Sequence, residues 1–138
     1  MEPYLNYLNE CDFFDVNPNI NLHVHEIFML PCRNYPIKKI LKLIPKVHLY
    51  NLQPIDSKGK TVLLSGTLEF KVLYETKNYL NLTESVLFFT PFKKEIECEN
   101  FSELYDSPKA TINEVHAEVL NSNSIYISTH LLLPSFIN

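Results

Sequence analysis

The chain has 138 residues, 46% of them hydrophobic and 20% charged, which fits one globular domain with its own core and excludes wholesale disorder. Its net charge of −4 is small and its 12 basic residues are dispersed except for a cluster between Lys38 and Lys46, so no basic face for nucleic acid is expected. No apolar run reaches the ~20 residues of a membrane span, and the acidic, polar opening MEPYLNYLNECDFFD does not fit a secretory signal, so neither a membrane anchor nor secretory export is expected.

Only 2 glycines occur, against 9 prolines, 8 tyrosines and 9 phenylalanines, and alanine is scarce. Aromatic and β-branched residues separated by Asn-rich turns predict strands rather than helices. Residues 1–21, rich in Asn and acid, show the weakest pattern and are expected to form an N-terminal arm, with residues 22–138 as a single domain. LHVHE follows, and as a strand it places His23 and His25 on one face. In ILKLIPKVHLYNLQPI, Leu41, Leu43, Val47 and Leu49 share one face, opposite Lys42, Lys46, His48 and Tyr50. Pro45 cannot donate to a ladder, so this strand is expected at an edge or bulged there.

DSKGK carries hairpin turn chemistry and leads into VLLSGTLEFKVLYE, the clearest strand of the chain. Val62, Leu64, Gly66, Leu68, Phe70, Val72 and Tyr74 fall on the core face, and Leu63, Ser65, Thr67, Glu69, Lys71, Leu73 and Glu75 on the other. Gly66, in mid-strand, reads as a bulge or as a place where a neighbour packs tightly. ETKNYLNLTE reads as a polar loop or short turn. SVLFFTPFKKEIEC is a further strand, broken or bent at Pro91, with Val86, Phe88 and Phe92 in the core. ENFSELYDSPKA is expected to be a loop with a helical turn, Ser102 as N-cap and Pro108 as stop. A hairpin around NSNS closes the fold: Val115, Ala117 and Val119 alternate with Glu114, His116 and Glu118, then Ile125, Ile127, Thr129, Leu131 and Leu133 with Tyr126, Ser128 and His130. The fold class is all-β, a mostly antiparallel β-sandwich, jelly-roll-like or Ig-like.

Few residues suggest chemistry. His23 and His25 have the spacing of a metal-binding pair, with His48, His116 or His130 as a third ligand only if the fold supplies one; two histidines on a solvated or interfacial face is the simpler reading, and no metal or other cofactor is expected. Glu95, Glu97 and Glu99 share a strand face and read as a charged edge that discourages strand pairing. Ser65 and His48 lack the setting of a nucleophile pair, and Gly59-Lys60-Thr61 lacks the preceding glycine of a phosphate loop. No enzymatic activity is expected. The absence of Trp weakens a sugar-binding reading. Cys11, Cys32 and Cys98 form no paired motif and read as reduced thiols of a protein made in a cytoplasm, or, for Cys11, as a crosslink between subunits once an assembly meets oxygen. Leu63, Leu73, Tyr50, Tyr126 and Leu132 lie on otherwise polar faces, where the arm or another subunit could cover them.

HEIFMLP, YPIKKILKL, KTVLLSGTLEFKVLYE, FFTPFKKEIE and THLLLP, taken in order, resemble the SPOCS domain of spore-coat and cortex morphogenetic proteins of clostridia and related spore-formers. The resemblance spans Leu22 to Pro134, with Gly66, Tyr74, Pro91 and Phe92 as fold markers. It implies a non-enzymatic structural protein, made in the mother-cell cytoplasm of a sporulating bacterium and placed on the spore surface in coat, exosporium or appendage. The partners it implies are copies of itself, spore-coat proteins, or both. The LysM module that accompanies some relatives is not seen, which favours self-assembly into a filament or layer through the β-domain and the arm, with Tyr4, Leu5, Leu8, Phe13 and Phe14 as apolar anchors. The alternative is a monomeric or dimeric adaptor that binds a coat morphogenetic protein.

Overall fold

The computed structural model describes residues 20–55, 61–80, 82–97 and 110–133. Every regular element among them is a strand: β1 (Ile20–Met29), β2 (Ile37–Pro54), β3 (Thr61–Thr76), β4 (Thr83–Glu97), β5 (Thr111–Asn121) and β6 (Ser124–Leu133). They form two antiparallel sheets, β1-β6-β5 and β2-β3-β4, packed as the expected sandwich. The sheets meet along one side through β2 and β5. On the other side β1 meets β4, where the Thr90 hydroxyl donates to Glu26 Oε1 at 3.2 Å.

The core follows the period-two pattern. From β3 it takes Val62, Leu64, Leu68, Phe70, Val72 and Tyr74, and from β6 Ile125, Ile127, Leu131 and Leu133. Each is the central strand of its sheet, so one face is buried along its whole length. β4 adds Val86, Phe88, Phe92 and Ile96. Phe28 of β1 stacks on Phe88 at 4.6 Å and meets Phe70 edge-on at 5.9 Å, which locks the two sheets together on the β1–β4 side.

Gly66 owes its identity to close approach. A Cβ there would lie 2.6 Å from the His48 carbonyl oxygen and 2.6 Å from the Phe92 ring. Its own strand runs without irregularity against β4, where Gly66 pairs with Phe92; the bulge lies in the partner β2, between Leu49 and Asn51. Phe92 folds over the bare backbone and covers a position with no side chain.

Two expectations are corrected. Pro91 does not break β4, which stays in unbroken register from Thr83 to Glu97; β4 is an edge strand, and a residue whose N–H would point away from the sheet can be proline without losing a ladder bond. Leu41 does not join Leu43 and Val47 against the core. The register shifts between Ile40 and Lys42, which leaves Leu41 as the extra residue of a bulge and exposed. Pro45 itself keeps register opposite Phe70, on the edge strand where proline was expected. The stretches 56–60 and 98–109, containing DSKGK and most of ENFSELYDSPKA, lie outside the described residues, as do residues 1–19. β1 includes Ile20 and Asn21, the last two residues assigned to the arm.

At one end of the sandwich the β1–β2 connection is tied in by backbone bonds from Leu30 N to Asn123 O, Ile37 N to Ser122 O and Lys77 N to Pro36 O. Tyr74 completes the tie. Its buried hydroxyl accepts from Asn34 Nδ2 at 3.0 Å and lies 2.9 Å from Glu84 Oε1 and 3.1 Å from the Tyr35 carbonyl, the two acceptors for its proton. Burial, reinforced by the Glu84 carboxylate and opposed by the Asn34 bond, holds this phenol above its ordinary pKa of 10.0.

Candidate interaction surface

The polar clusters on the sandwich are built from stacked and hydrogen-bonded histidines. On the outer face of the β1-β6-β5 sheet, His23 stacks on His130 with ring centroids 4.5 Å apart, while His25 turns its ring edge-on to Tyr126 at 6.4 Å. The adjacent-strand register therefore gives the two β1 histidines different partners. His116 and Glu114 join His23, Ser128 and His130 around a depression of about 130 Å³, and His48 lies on the other sheet, 3.0 Å from Glu69 Oε1. Among the described residues no group of three or more His, Cys, Asp or Glu is placed to hold a metal ion. His130 is engaged at both ring nitrogens, Nε2 with Asn21 Oδ1 at 2.7 Å and Nδ1 with Asn113 Nδ2 at 3.2 Å. This pairing assigns the proton to Nε2 and leaves Nδ1 as an acceptor from the amide. Burial first, and the neighbouring His23 second, lower its pKa, with Glu114 acting in the opposite sense.

The apolar surface lies elsewhere. On the outer face of the β2-β3-β4 sheet, Ile44, Lys71 and Leu87 stand in one row across the three strands, and Lys46, Glu69 and Phe89 in the next. Leu87 is 52% exposed and Phe89 56%, both on β4, whose second edge pairs with no other strand among the described residues. β1 is likewise an edge strand, with Ile27 at 57% and Met29 at 65% exposure. Among the described residues one side of the sandwich thus presents two strand edges of 10 and 15 residues that no further strand pairs, each carrying large apolar side chains. Such an edge accepts an added strand, backbone bonds supplying affinity and alternate side chains specificity.

Of the residues singled out from the sequence, Leu73 sits in the row beside Lys42 and Ser85, next to the Ile44–Leu87 row, and Leu63 sits between Gln53 and Glu95. Both are half-buried on the outer face of β3, but ten residues of strand, about 33 Å, separate them, so they do not form one patch. Tyr126 and Leu132 are half-buried on the outer face of β6. Tyr4, Leu5, Leu8, Cys11, Phe13 and Phe14 lie outside the described residues, as does Cys98; Cys32 is an exposed free thiol between β1 and β2. The exposed strand residues that the period-two reading missed include Ile27, Met29, Ile44, Leu87, Phe89 and Leu120. VLFF carried the signal for two of them: four consecutive apolar residues in a strand cannot all face one core, so Leu87 and Phe89 had to point outward.

Comparison with curated proteins and with solved structures returns no match. The family model described as SipL, SPOCS domain matches residues 36–123, well over half of the chain, from the start of β2 to the β5–β6 turn. The matched segment contains Gly66, Tyr74, Pro91 and Phe92, which occupy structural positions: Gly66 and Phe92 are cross-strand partners, and Tyr74 anchors the β1–β2 connection. On this match the chain belongs to the SipL SPOCS domain family.

Proposed function

We propose that the protein is a non-enzymatic structural component of the bacterial spore envelope that assembles with copies of itself into a filament or layer. Membership of the SPOCS family supports a role in sporulation. Synthesis in the mother cell and placement on the spore surface, in coat, exosporium or appendage, belong to the same proposal. The observation that carries self-assembly is the β1–β4 side of the sandwich, where two long edges stand beside the exposed Ile27, Met29, Leu87 and Phe89. Solvent-facing edges of this length are usually shortened, bulged or charged; β4 keeps register along its 15 residues and carries no charged side chain between Glu84 and Lys93, where Pro91 is its one edge-blunting residue. A donated strand would pair with the open edge and lay alternate side chains on Leu87 and Phe89. Donor and acceptor surfaces differ, so the contact repeats head to tail unless its rotation closes a ring.

Negative-stain electron microscopy of the purified protein, with and without reducing agent, tests this. Regular fibres or sheets are expected. Uniform small particles in both conditions would sink self-assembly and favour an adaptor for a spore-coat protein.

A further inference from the structure

At the end of the sandwich where β1 passes into β2, a groove of about 420 Å³ opens to solvent. Pro31, Arg33 and Asn34 line one wall, and Lys71 with Ser85 and Leu87 at the start of β4 line the other. Arg33 and Lys71 are exposed and join no ion pair among the described residues, whereas nearby Lys38 and Lys39 share Glu75 at 3.3 and 3.7 Å. Two uncompensated cations beside the apolar Pro31 and Leu87 suit a ligand that offers carboxylates and apolar groups together.

The chain contains such a ligand. Residues 1–19 carry Glu2, Glu10, Asp12 and Asp15, no Lys or Arg, and the aromatic Tyr4, Tyr7, Phe13 and Phe14. The whole side-chain charge of −4 resides in that segment, which leaves the rest of the chain balanced between acids and bases. The chain enters β1 at Ile20, opposite Leu133, and β1 then runs its ten residues, about 33 Å, to the groove end of the sandwich. The segment therefore starts at the end remote from its own groove and would have to double back along the molecule to fill it. The groove of a neighbour placed end to end requires no such reversal.

We propose that the groove receives residues 1–19 of a second copy, with carboxylates meeting Arg33 and Lys71 and aromatic side chains lying on Leu87 and Phe89. This inference rests on the self-assembly proposed above and names the site at which it occurs.

The test uses four full-length proteins: wild type, Arg33→Glu/Lys71→Glu, Asp12→Lys/Asp15→Lys, and the two pairs combined. Light scattering and electron microscopy measure assembly, and thermal melting checks the fold. Each pair alone should raise the concentration needed for assembly at least about tenfold, the effect of two surface ion pairs at the upper end of their usual strength. The combination should restore assembly, and melting should stay unchanged. If a charge reversal lowers the melting temperature, Arg33→Gln/Lys71→Gln replaces it with the same expected outcome. Wild-type assembly that Arg33→Glu/Lys71→Glu leaves intact would overturn the groove but not self-assembly. Small wild-type particles would overturn both; limited proteolysis then separates the remaining occupants. Cleavage within residues 1–19 only in Arg33→Glu/Lys71→Glu would assign the groove to the chain's own segment, and equal cleavage in both proteins would overturn residues 1–19 as its occupant altogether.

Discussion

Gly66 is held by two neighbours of different stiffness. The His48 carbonyl is fixed in a sheet, and the Phe92 ring can move. Gly66→Ala is therefore expected to destabilise the fold by about 1–3 kcal/mol, read from denaturant midpoints. Adding Phe92→Leu should recover none of the backbone clash, so full rescue would show that the ring alone dictates the glycine. Thr129 gives the opposite sign: its hydroxyl is buried without a hydrogen-bond partner among the described residues, between Val24 and Val115 in the sheet. Thr129→Val keeps the shape and removes an unmet polar atom, so it should be neutral to stabilising by about 1 kcal/mol. His130 ties stability to pH. Its pKa is lower in the folded state than the ordinary 6.5, so folding favours the neutral ring. That contribution is present above pH 6.5 and is lost as pH falls through the depressed value, because burial first, and the neighbouring His23 second, disfavour the protonated ring. Melting temperature should fall on acidification below 6.5, and His130→Gln should flatten that part of the profile.

At the scale of the element, β4 combines a well-buried inner face with an outer face that uses two large apolar residues where water would favour polar ones. Leu87→Lys/Phe89→Lys should leave stability within about 0.5 kcal/mol per site, since neither side chain belongs to the core. The same change should abolish fibres in electron microscopy, because charge beside an open edge disfavours strand addition. Unaltered fibres from this variant would move the contact away from β4. β2 shows how an 18-residue edge strand is accommodated: its three register shifts let it coil around the sandwich, and they place Leu41 in water although the alternation assigns it to the core.

At the scale of the whole molecule, the described chain enters at Ile20 and leaves at Leu133 at the same end of the sandwich, while the groove lies at the other. This polarity makes a head-to-tail arrangement the simplest one available to an acidic N-terminal segment. Removing residues 1–19, which stops short of β1, should leave a soluble, folded monomer by sedimentation and circular dichroism. Continued polymerisation of that protein would show that the sandwich assembles through its edges alone.

The sequence by itself determined the all-β class, the inner face of β3 from Val62 to Tyr74 and the β5–β6 hairpin, because side chains alternate across a strand and burial selects one parity; the family followed from the resemblance of its motifs taken in order. Leu87 and Phe89 were legible in VLFF, yet their importance depended on β4 being an edge, and strand order is a property of long-range pairing that alternation does not encode. The stacking of His23 on His130, more than a hundred residues away, and the meeting of Arg33 with Lys71 across one groove were likewise decided only by the tertiary structure. In each case local pattern set which way a side chain points, and the packing of the two sheets set what it meets.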